Sequence, residues 1–351
     1  MIMKQVSLII PTYNEAENIE TLIKEIDGVV NKSFVDFEYI IVDDNSPDGT
    51  GSIAEKLKET YPVHVIHRSG KLGLGSAVIE GFNLSTYEYI GVMDGDLSHD
   101  PIILNDMVGE LENCDIVIGS RFNKDSLVEN WKWWRRVVSV VGVFLAKMIS
   151  GVGDPLSGYF MLKRSVIDGV QLETKGYKIL FEILVKGKWS TIKELPFTFR
   201  MRRHSVSKLN MSEYILFAKQ IALYAIYKYQ SFFRYFVIGS TAFILDMGSL
   251  YVLKEHFDIH PAFAVALNQI FVLSYIFILN KIWTFSSKEK TRHSLIRFVS
   301  LQMFNYSFGI LWMWIFYEQV GINYLIARIA NIILFTAWNF LLYKKWVFKK
   351  N

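Results

Sequence analysis

Asp94 and Asp96 are the residues of this 351-residue chain best suited to chemistry. They close the run Tyr89-Ile90-Gly91-Val92-Met93-Asp94-Gly95-Asp96, in which an apolar strand ends in two carboxylates separated by one glycine. A buried ionised carboxylate is costly unless it is paired or bound to a metal. Two of them at a strand end suit Mg²⁺ or Mn²⁺, with phosphate oxygens of a ligand completing the shell. A turn that happens to hold two aspartates is the competing reading. Two more acidic groups follow apolar runs, in Pro11-Thr12-Tyr13-Asn14-Glu15 and in Asp43-Asp44-Asn45-Ser46. Three acidic strand ends on one edge favour a cationic or metal-bound ligand. Cations that could meet phosphate are also present: Arg121, Arg135 and Arg136, with Ser139 one turn beyond Arg135, and the cluster Arg200, Arg202, Arg203, His204 and Lys208. The guanidinium fork suits bidentate phosphate contacts.

The elements that must position these residues alternate. The pattern predicts strands over 6–10, 38–42, 63–67, 89–93 and 115–118, and helices over 17–29, 51–61, 76–82 and 102–112. The strands are continuous apolar runs, as in a parallel sheet covered on both faces. Such sheets bind ligands outside the carboxyl ends of their strands, where the acidic groups fall. Other motifs carry less. Asp94-x-Asp96-x-Ser98 lacks the glycine and glutamate of a calcium loop. Gly73-Leu74-Gly75-Ser76 matches no nucleotide fingerprint and reads as a helix start. His64 and His67 alternate on a strand and read as structural.

Composition divides the chain near residue 230. Overall 51% of residues are hydrophobic, and the mean hydropathy is +0.23. Four apolar runs follow, over 235–253, 262–280, 298–317 and 325–343. Each is near the roughly 20 residues that cross a bilayer. Lys281, Lys288, Lys290, Arg292 and Arg297 fill the middle connection, and Lys344, Lys345, Lys349 and Lys350 fill the tail. The positive-inside rule puts both, and the N-terminal domain, in the cytoplasm. Residues 1–6 show no basic region or apolar core of signal-peptide type. Stretches 131–149 and 214–229 mix aromatic, apolar and basic residues, as interfacial helices do. The net charge of +4 and the lack of a basic tract exclude a nucleic-acid reading, and a single cysteine, Cys114, excludes an intrachain disulfide. The membrane part is duplicated: Arg234, Ala264, Asn268, Lys281, Trp283 and Phe285 recur 63 residues later as Arg297, Ala327, Asn331, Lys344, Trp346 and Phe348. Asp246 has Gly309 at that offset.

Ile9-Ile10-Pro11-Thr12-Tyr13-Asn14-Glu15, Val42-Asp43-Asp44-Asn45-Ser46-Pro47-Asp48-Gly49-Thr50 and Met93-Asp94-Gly95-Asp96-Leu97-Ser98-His99 closely resemble the inverting GT-A glycosyltransferases. Within these the chain is most similar to the polyprenyl-phosphate sugar synthases, best of all the dolichyl-phosphate mannose synthases. Gly119-Ser120-Arg121, Glu129-Asn130-Trp131, Asp154-Pro155-Leu156-Ser157-Gly158-Tyr159-Phe160 and Ser207-Lys208-Leu209 extend the resemblance over about 5–210. The duplicated hairpins resemble the GtrA-like membrane domain.

The resemblance implies an α/β GT-A domain with a mostly parallel Rossmann-like sheet at 1–210, an interfacial helix and linker at 211–231, and a four-helix membrane domain at 232–351. It implies transfer of a sugar, mannose from GDP-mannose, onto dolichyl or polyprenyl phosphate with inversion, with Mg²⁺ or Mn²⁺ as cofactor. By position, Pro11, Tyr13, Glu15, Val42, Asp44, Asp94, Gly95, Asp96 and Lys208 would hold the nucleotide sugar. Asp94, Asp96 and Ser98 would organise the metal. Arg121, Arg135, Ser139 and Arg202 would hold the acceptor phosphate, and Asp94, Asp96 and Arg121 would carry catalysis. Ser98 departs from the pattern, since glutamine is common there in the mannose synthases. A glucosyltransferase using UDP-glucose, or a lipid-linked sugar flippase with a vestigial catalytic domain, are the competing functions.

Overall fold

A computed structural model describes residues 3–128, 133–173, 178–200 and 211–349. The chain divides into two compact units, Met1–Lys228 and Tyr229–Asn351.

The first unit begins with β1 (Lys4–Thr12), α1 (Ile19–Val29), β2 (Val35–Asp43), α2 (Thr50–Leu57), β3 (Val63–His67), α3 (Leu74–Leu84), β4 (Tyr89–Val92), α4 (Leu104–Glu110) and β5 (Ile116–Ser120). It continues with β6 (Leu127–Val128), α5 (Trp133–Ser150), β7 (Phe160–Lys163), α6 (Ile179–Lys186), β8 (Ile192–Pro196), β9 (Thr198–Phe199) and α7 (Met211–Lys228). Seven strands form one sheet in the order β3-β2-β1-β4-β7-β5-β8. All neighbours are parallel except β7, which runs antiparallel between β4 and β5. The parallel core agrees with the continuous apolar strands. The antiparallel insertion has too short a run, Phe-Met-Leu-Lys, to stand out in sequence.

Alternation along β1 explains the two-sided burial. Val6, Leu8 and Ile10 enter one core with Ile19, Leu22, Ile23 and Ile26 of α1 and Met107 and Val108 of α4. Ile9 enters the opposite core with Ala77, Val78 and Phe82 of α3 and Leu180 and Ile183 of α6. Successive strand side chains point to opposite faces, so a helix layer on each side buries both. The chain passes from β1 to β2 on one side and later returns to β4 on the other. The carboxyl ends of β1 and β4 therefore flank a topological switch point, where such sheets open a crevice.

The segment expected as an interfacial helix and linker is α7, and it packs on the first unit. Tyr224, Phe217 and Ile221 meet Val143, Ala146 and Ile149 of α5 and Phe181 of α6. The outward side chains of both long helices are apolar and exposed: Val140, Val141, Phe144 and Met148 on α5, and Ile215, Leu223 and Ile226 on α7.

The second unit holds α8 (Gln230–Glu255), α9 (Pro261–Leu279), α10 (Thr291–Met313) and α11 (Tyr324–Leu342). α9 continues through a π turn at Asn280–Thr284, and α11 through one at Tyr343–Val347. Among the described residues, Gln230–Glu255 and Phe263–Thr284 are long and apolar enough to cross a bilayer. The duplication is visible in contacts. Arg234 Nη1 donates to the Trp283 carbonyl at 2.9 Å, and Arg297 Nη1 donates to the Trp346 carbonyl at 3.0 Å. The two closing phenylalanines, Phe285 and Phe348, stack with centroids 5.6 Å apart.

One carboxylate gives the sheet a measurable pH dependence. Asp115, before β5, accepts from the backbone N–H and hydroxyl groups of both Ser190 and Thr191, before β8. The backbone bond from Ser190 is the largest cause of a pKa lowered to about 2 from 3.8. A depressed carboxyl stabilises the fold above its unfolded value and loses that contribution as pH falls through the folded one. Asp115→Ala is expected to cost on the order of 2 kcal/mol at neutral pH. Denaturant titrations of wild type and variant should give a constant difference above about pH 5 that shrinks between roughly pH 4 and 2.

Candidate active site

The three loops at the carboxyl edge share a local device. Asn14 after β1, Asn45 after β2 and Leu97 after β4 all adopt left-handed backbone, with φ of 57°, 56° and 61°. Asparagine tolerates this region, whereas leucine is strained there. Leu97 is held by burial, being 4% exposed within the first core. Strain of this kind persists only where the surroundings over-determine it.

The loop after β4 presents the two aspartates differently. Asp96 is buried, and its Oδ1 accepts from the backbone N–H of Ser98 at 3.1 Å and from its hydroxyl at 2.5 Å. Ser98, predicted as a metal ligand, is fully buried and thus orients Asp96. Asp94 donates its backbone N–H to Nδ1 of His99 at 3.1 Å, which fixes the ring with its proton on Nε2. That Nε2 lies 3.7 Å from Asp94 Oδ2. The His99 ring stacks on Tyr159 at 4.9 Å between centroids. Asp94 Oδ1 is buried and has no hydrogen-bond partner. An orphaned carboxylate oxygen beside a second oriented carboxylate fits a hard divalent cation. Among the described residues no three His, Cys, Asp or Glu side chains stand together as a cage. An ion here would therefore take further oxygens from its ligand or water.

The other acidic groups are already engaged. Asp43 accepts from Thr12 Oγ1 at 3.1 Å and from the backbone N–H and hydroxyl of Ser46. Asp44 is buried against Arg68, which bonds Oδ1, while the Gly73 N–H bonds Oδ2 at 2.9 Å. The same guanidinium reaches Ser76 Oγ at 2.7 Å and Glu80 at 2.9 Å. One ion pair thus ties the end of β2 to the start of α3. Glu15 accepts from the Asn18 amide at 2.7 Å. Pro11 and Val42 face each other in register, and the Val42 side chain is fully buried in the second core. Tyr13 lies under Lys71, with Nζ 4.2 Å from the ring centroid. Gly95 leaves room for the crossing of β1, since a Cβ there would stand 3.1 Å from Thr12 Cγ2.

Arg121 follows β5 and binds Asp154 through Nε at 2.9 Å and Nη2 at 2.8 Å. Asp154 is fully buried. Burial alone would push its carboxyl up, but the Arg121 charge and hydrogen bonds more than offset this and hold it below the ordinary range. Arg121 also feels the Asp94 carboxylate, which helps keep its own pKa raised despite burial. The pair occupies the Nε–Nη2 edge of the guanidinium. Ser139 is half-buried on α5. Arg202, Lys208 and the Arg135 side chain lie outside the described residues. Arg200, just before, pairs with Glu25 at 2.8 Å and Asp100 at 2.9 Å, and its N–H bonds the Ser98 carbonyl.

Sequence reasoning missed Arg68, and it singled out Asp154 and Gly158 in a motif without giving either a role. Arg68 stands one residue past β3, so the strand-end logic that selected Asp94 would have found it. What Asp154 and Gly158 touch becomes legible only when β7 and its approach fold back beside β4 and β5.

Residues 7–186 match the family described as glycosyl transferase family 2. The chain belongs to that family. It is thus a glycosyltransferase, and residues 234–348 match the GtrA/DPMS transmembrane domain, which makes it a membrane protein. It is 36% identical to the dolichol-phosphate mannosyltransferase of Pyrococcus furiosus, an alignment covering 94% of this chain and 95% of the relative. It is 35% identical to the polyprenol monophosphomannose synthase of Mycolicibacterium smegmatis, covering 58% of this chain and 81% of the relative. Among solved structures, the glucosyl-3-phosphoglycerate synthase of Mycobacterium tuberculosis aligns with a TM-score of 0.46 at 21% identity, over 64% of this chain and 80% of that one.

Gly158 offers a direct test of the Asp94 geometry. A Cβ there would stand 3.0 Å from Asp94 Oδ2 and 3.2 Å from Oδ1. Gly158→Ala should displace that carboxylate and lower sugar-transfer kcat by about 10²-fold with little change in melting temperature.

Proposed function

We propose that this glycosyltransferase moves mannose from GDP-mannose onto dolichyl or another polyprenyl phosphate, with inversion, and releases GDP. The observation that carries this proposal is the match to the Pyrococcus furiosus dolichol-phosphate mannosyltransferase, which runs through both units at 36% identity. The mycobacterial polyprenol monophosphomannose synthase supports the same sugar and acceptor class.

The site chemistry supports such a transfer. The acceptor phosphate is already anionic at neutral pH, so no strong base is needed. The task is to bring two anions together and to let a diphosphate leave. We assign Mg²⁺ or Mn²⁺ to Asp94 and Asp96, the pair with the orphaned Oδ1; when bound, the ion supplies Lewis-acid stabilisation of the departing diphosphate. Ser98 holds Asp96 in place for it. Pro11, Tyr13, Glu15, Val42, Asp44 and Gly95 form the nucleotide side, Val42 through its backbone, with Arg68 locking Asp44 and the start of α3. Arg121, oriented by Asp154, meets the acceptor phosphate, and Arg135, Ser139, Arg202 and Lys208 add to the binding of the two anionic substrates. Positioned guanidinium groups of this kind stabilise phosphate charge without reorganising during reaction.

The domain plan is a catalytic unit at 1–210, the interfacial α7, and a membrane unit of four spans, α8 to α11. The exposed apolar side chains of α5 and α7 suit helices lying in the bilayer surface. The lysine-rich middle connection and tail support a cytoplasmic side for themselves and for the catalytic unit.

Purified protein with Mn²⁺ or Mg²⁺, offered a panel of nucleotide sugars and polyprenyl phosphates, is expected to make mannosyl lipid from GDP-mannose. Preference for UDP-glucose would overturn the sugar assignment. Asp94→Ala should lose at least about 10³-fold in transfer while still inserting into membranes. Wild-type transfer by that variant would instead favour a flippase with a vestigial first unit. For Arg135→Ala, the KM for polyprenyl phosphate should rise about tenfold with donor affinity unchanged. Equal loss in a GDP-mannose titration would remove Arg135 from the acceptor site.

A further inference from the structure

The two membrane repeats are not chemically equivalent. In the first, Asn268 is buried and satisfied. Its Nδ2 donates to Asp246 Oδ1 at 2.7 Å, and its Oδ1 accepts from Ser249 Oγ. The positions 63 residues on are Asn331, Gly309 and Trp312. The carboxylate is gone, and the Trp312 indole N–H is spent on the Ala327 carbonyl at 2.9 Å. Asn331 is 1% exposed, and its Nδ2 has no partner. The second repeat also gains polar groups where the first has apolar ones. Asn305 and Asn339 stand at the positions of Ala242 and Ile276. Asn305 Nδ2 donates to Asn339 Oδ1 at 2.8 Å, while Asn305 Oδ1 is buried without a partner.

Four of these positions, Gly309, Asn331, Asn305 and Asn339, border one cavity. It has a volume of about 1250 Å³, and the rest of its lining is apolar and uncharged polar residues of α8 to α11. Pockets for drug-sized ligands run to roughly 1,000 Å³. Orphaned amide groups buried in a membrane unit are costly, and a ligand that meets them recovers that cost.

We propose that this cavity binds an uncharged, polyhydroxylated head group carried on an apolar chain, as in a neutral glycolipid. Asn331 Nδ2 needs an acceptor and Asn305 Oδ1 needs a donor, and hydroxyl groups supply both. A bare hydrocarbon chain supplies neither. The described lining residues are uncharged, so the cavity offers no cation to a phosphate or phosphodiester. Ile270, Met303, Ile310 and Ile332 line it and are largely exposed, which gives an apolar flank along which a chain can lie. This site is separate from the sugar-transfer chemistry of the first unit and does not depend on it.

The full chain in phosphatidylcholine nanodiscs is offered glucosyl diacylglycerol, diacylglycerol with the same chains, or methyl glucoside, and retention is read by native mass spectrometry. Wild type should retain the glycolipid about tenfold better than either fragment. Asn331→Leu removes the donor. Gly309→Asp restores the carboxylate of the first repeat; its Cβ meets only Phe335 Cε2, at 3.7 Å. Both variants should fall to the diacylglycerol level while keeping wild-type sugar transfer, which checks that the chain is folded. Equal retention of diacylglycerol or of methyl glucoside would overturn the proposal, as would unchanged glycolipid retention in Gly309→Asp.

Discussion

A carboxylate removed from water must be paired, hydrogen-bonded or bound to a metal, and the carboxyl edge of the sheet is built around that requirement. Asp154 meets it with Arg121, Asp44 with Arg68 and Gly73, Asp43 with Thr12 and Ser46, and Asp96 with Ser98. Each solution fastens a loop to a neighbouring element. Arg121–Asp154 joins the end of β5 to the segment before β7, and Asp44–Arg68 joins β2, β3 and α3. Asp94 is the exception, with one buried oxygen left over. The network that satisfies its neighbours leaves that oxygen without a hydrogen-bond partner.

The sheet makes this arrangement possible. Parallel strands bring several carboxyl ends to one edge, and the switch between β1 and β4 opens a crevice there. Burial on both faces then holds the short loops in costly conformations. Leu97 keeps a left-handed backbone because its side chain is locked in the core. Gly158 and Gly95 matter for the opposite reason, since a methyl group at either position would press on the edge itself. The same principle of buried polar groups seeking partners reappears in the membrane unit. One repeat closes its asparagine internally, and the other leaves it open to a cavity.

Periodicity and composition determined much of this by themselves. Continuous apolar runs foretold a parallel sheet, the three acidic groups were read at strand ends that share one edge of it, and the 63-residue offset foretold paired hairpins whose arginines, Arg234 and Arg297, cap equivalent carbonyls. These features are local or repetitive, so they survive in one dimension. Tertiary structure alone decided which acidic residues were spent and which was free. It set Arg121 against Asp154, hid Ser98 behind Asp96, inserted β7 antiparallel beside β4, and placed Gly158 against Asp94. Apart from Ser98 and Asp96, those relations join residues distant in sequence, and the energies of all of them depend on burial and direction, which exist only once the chain has folded.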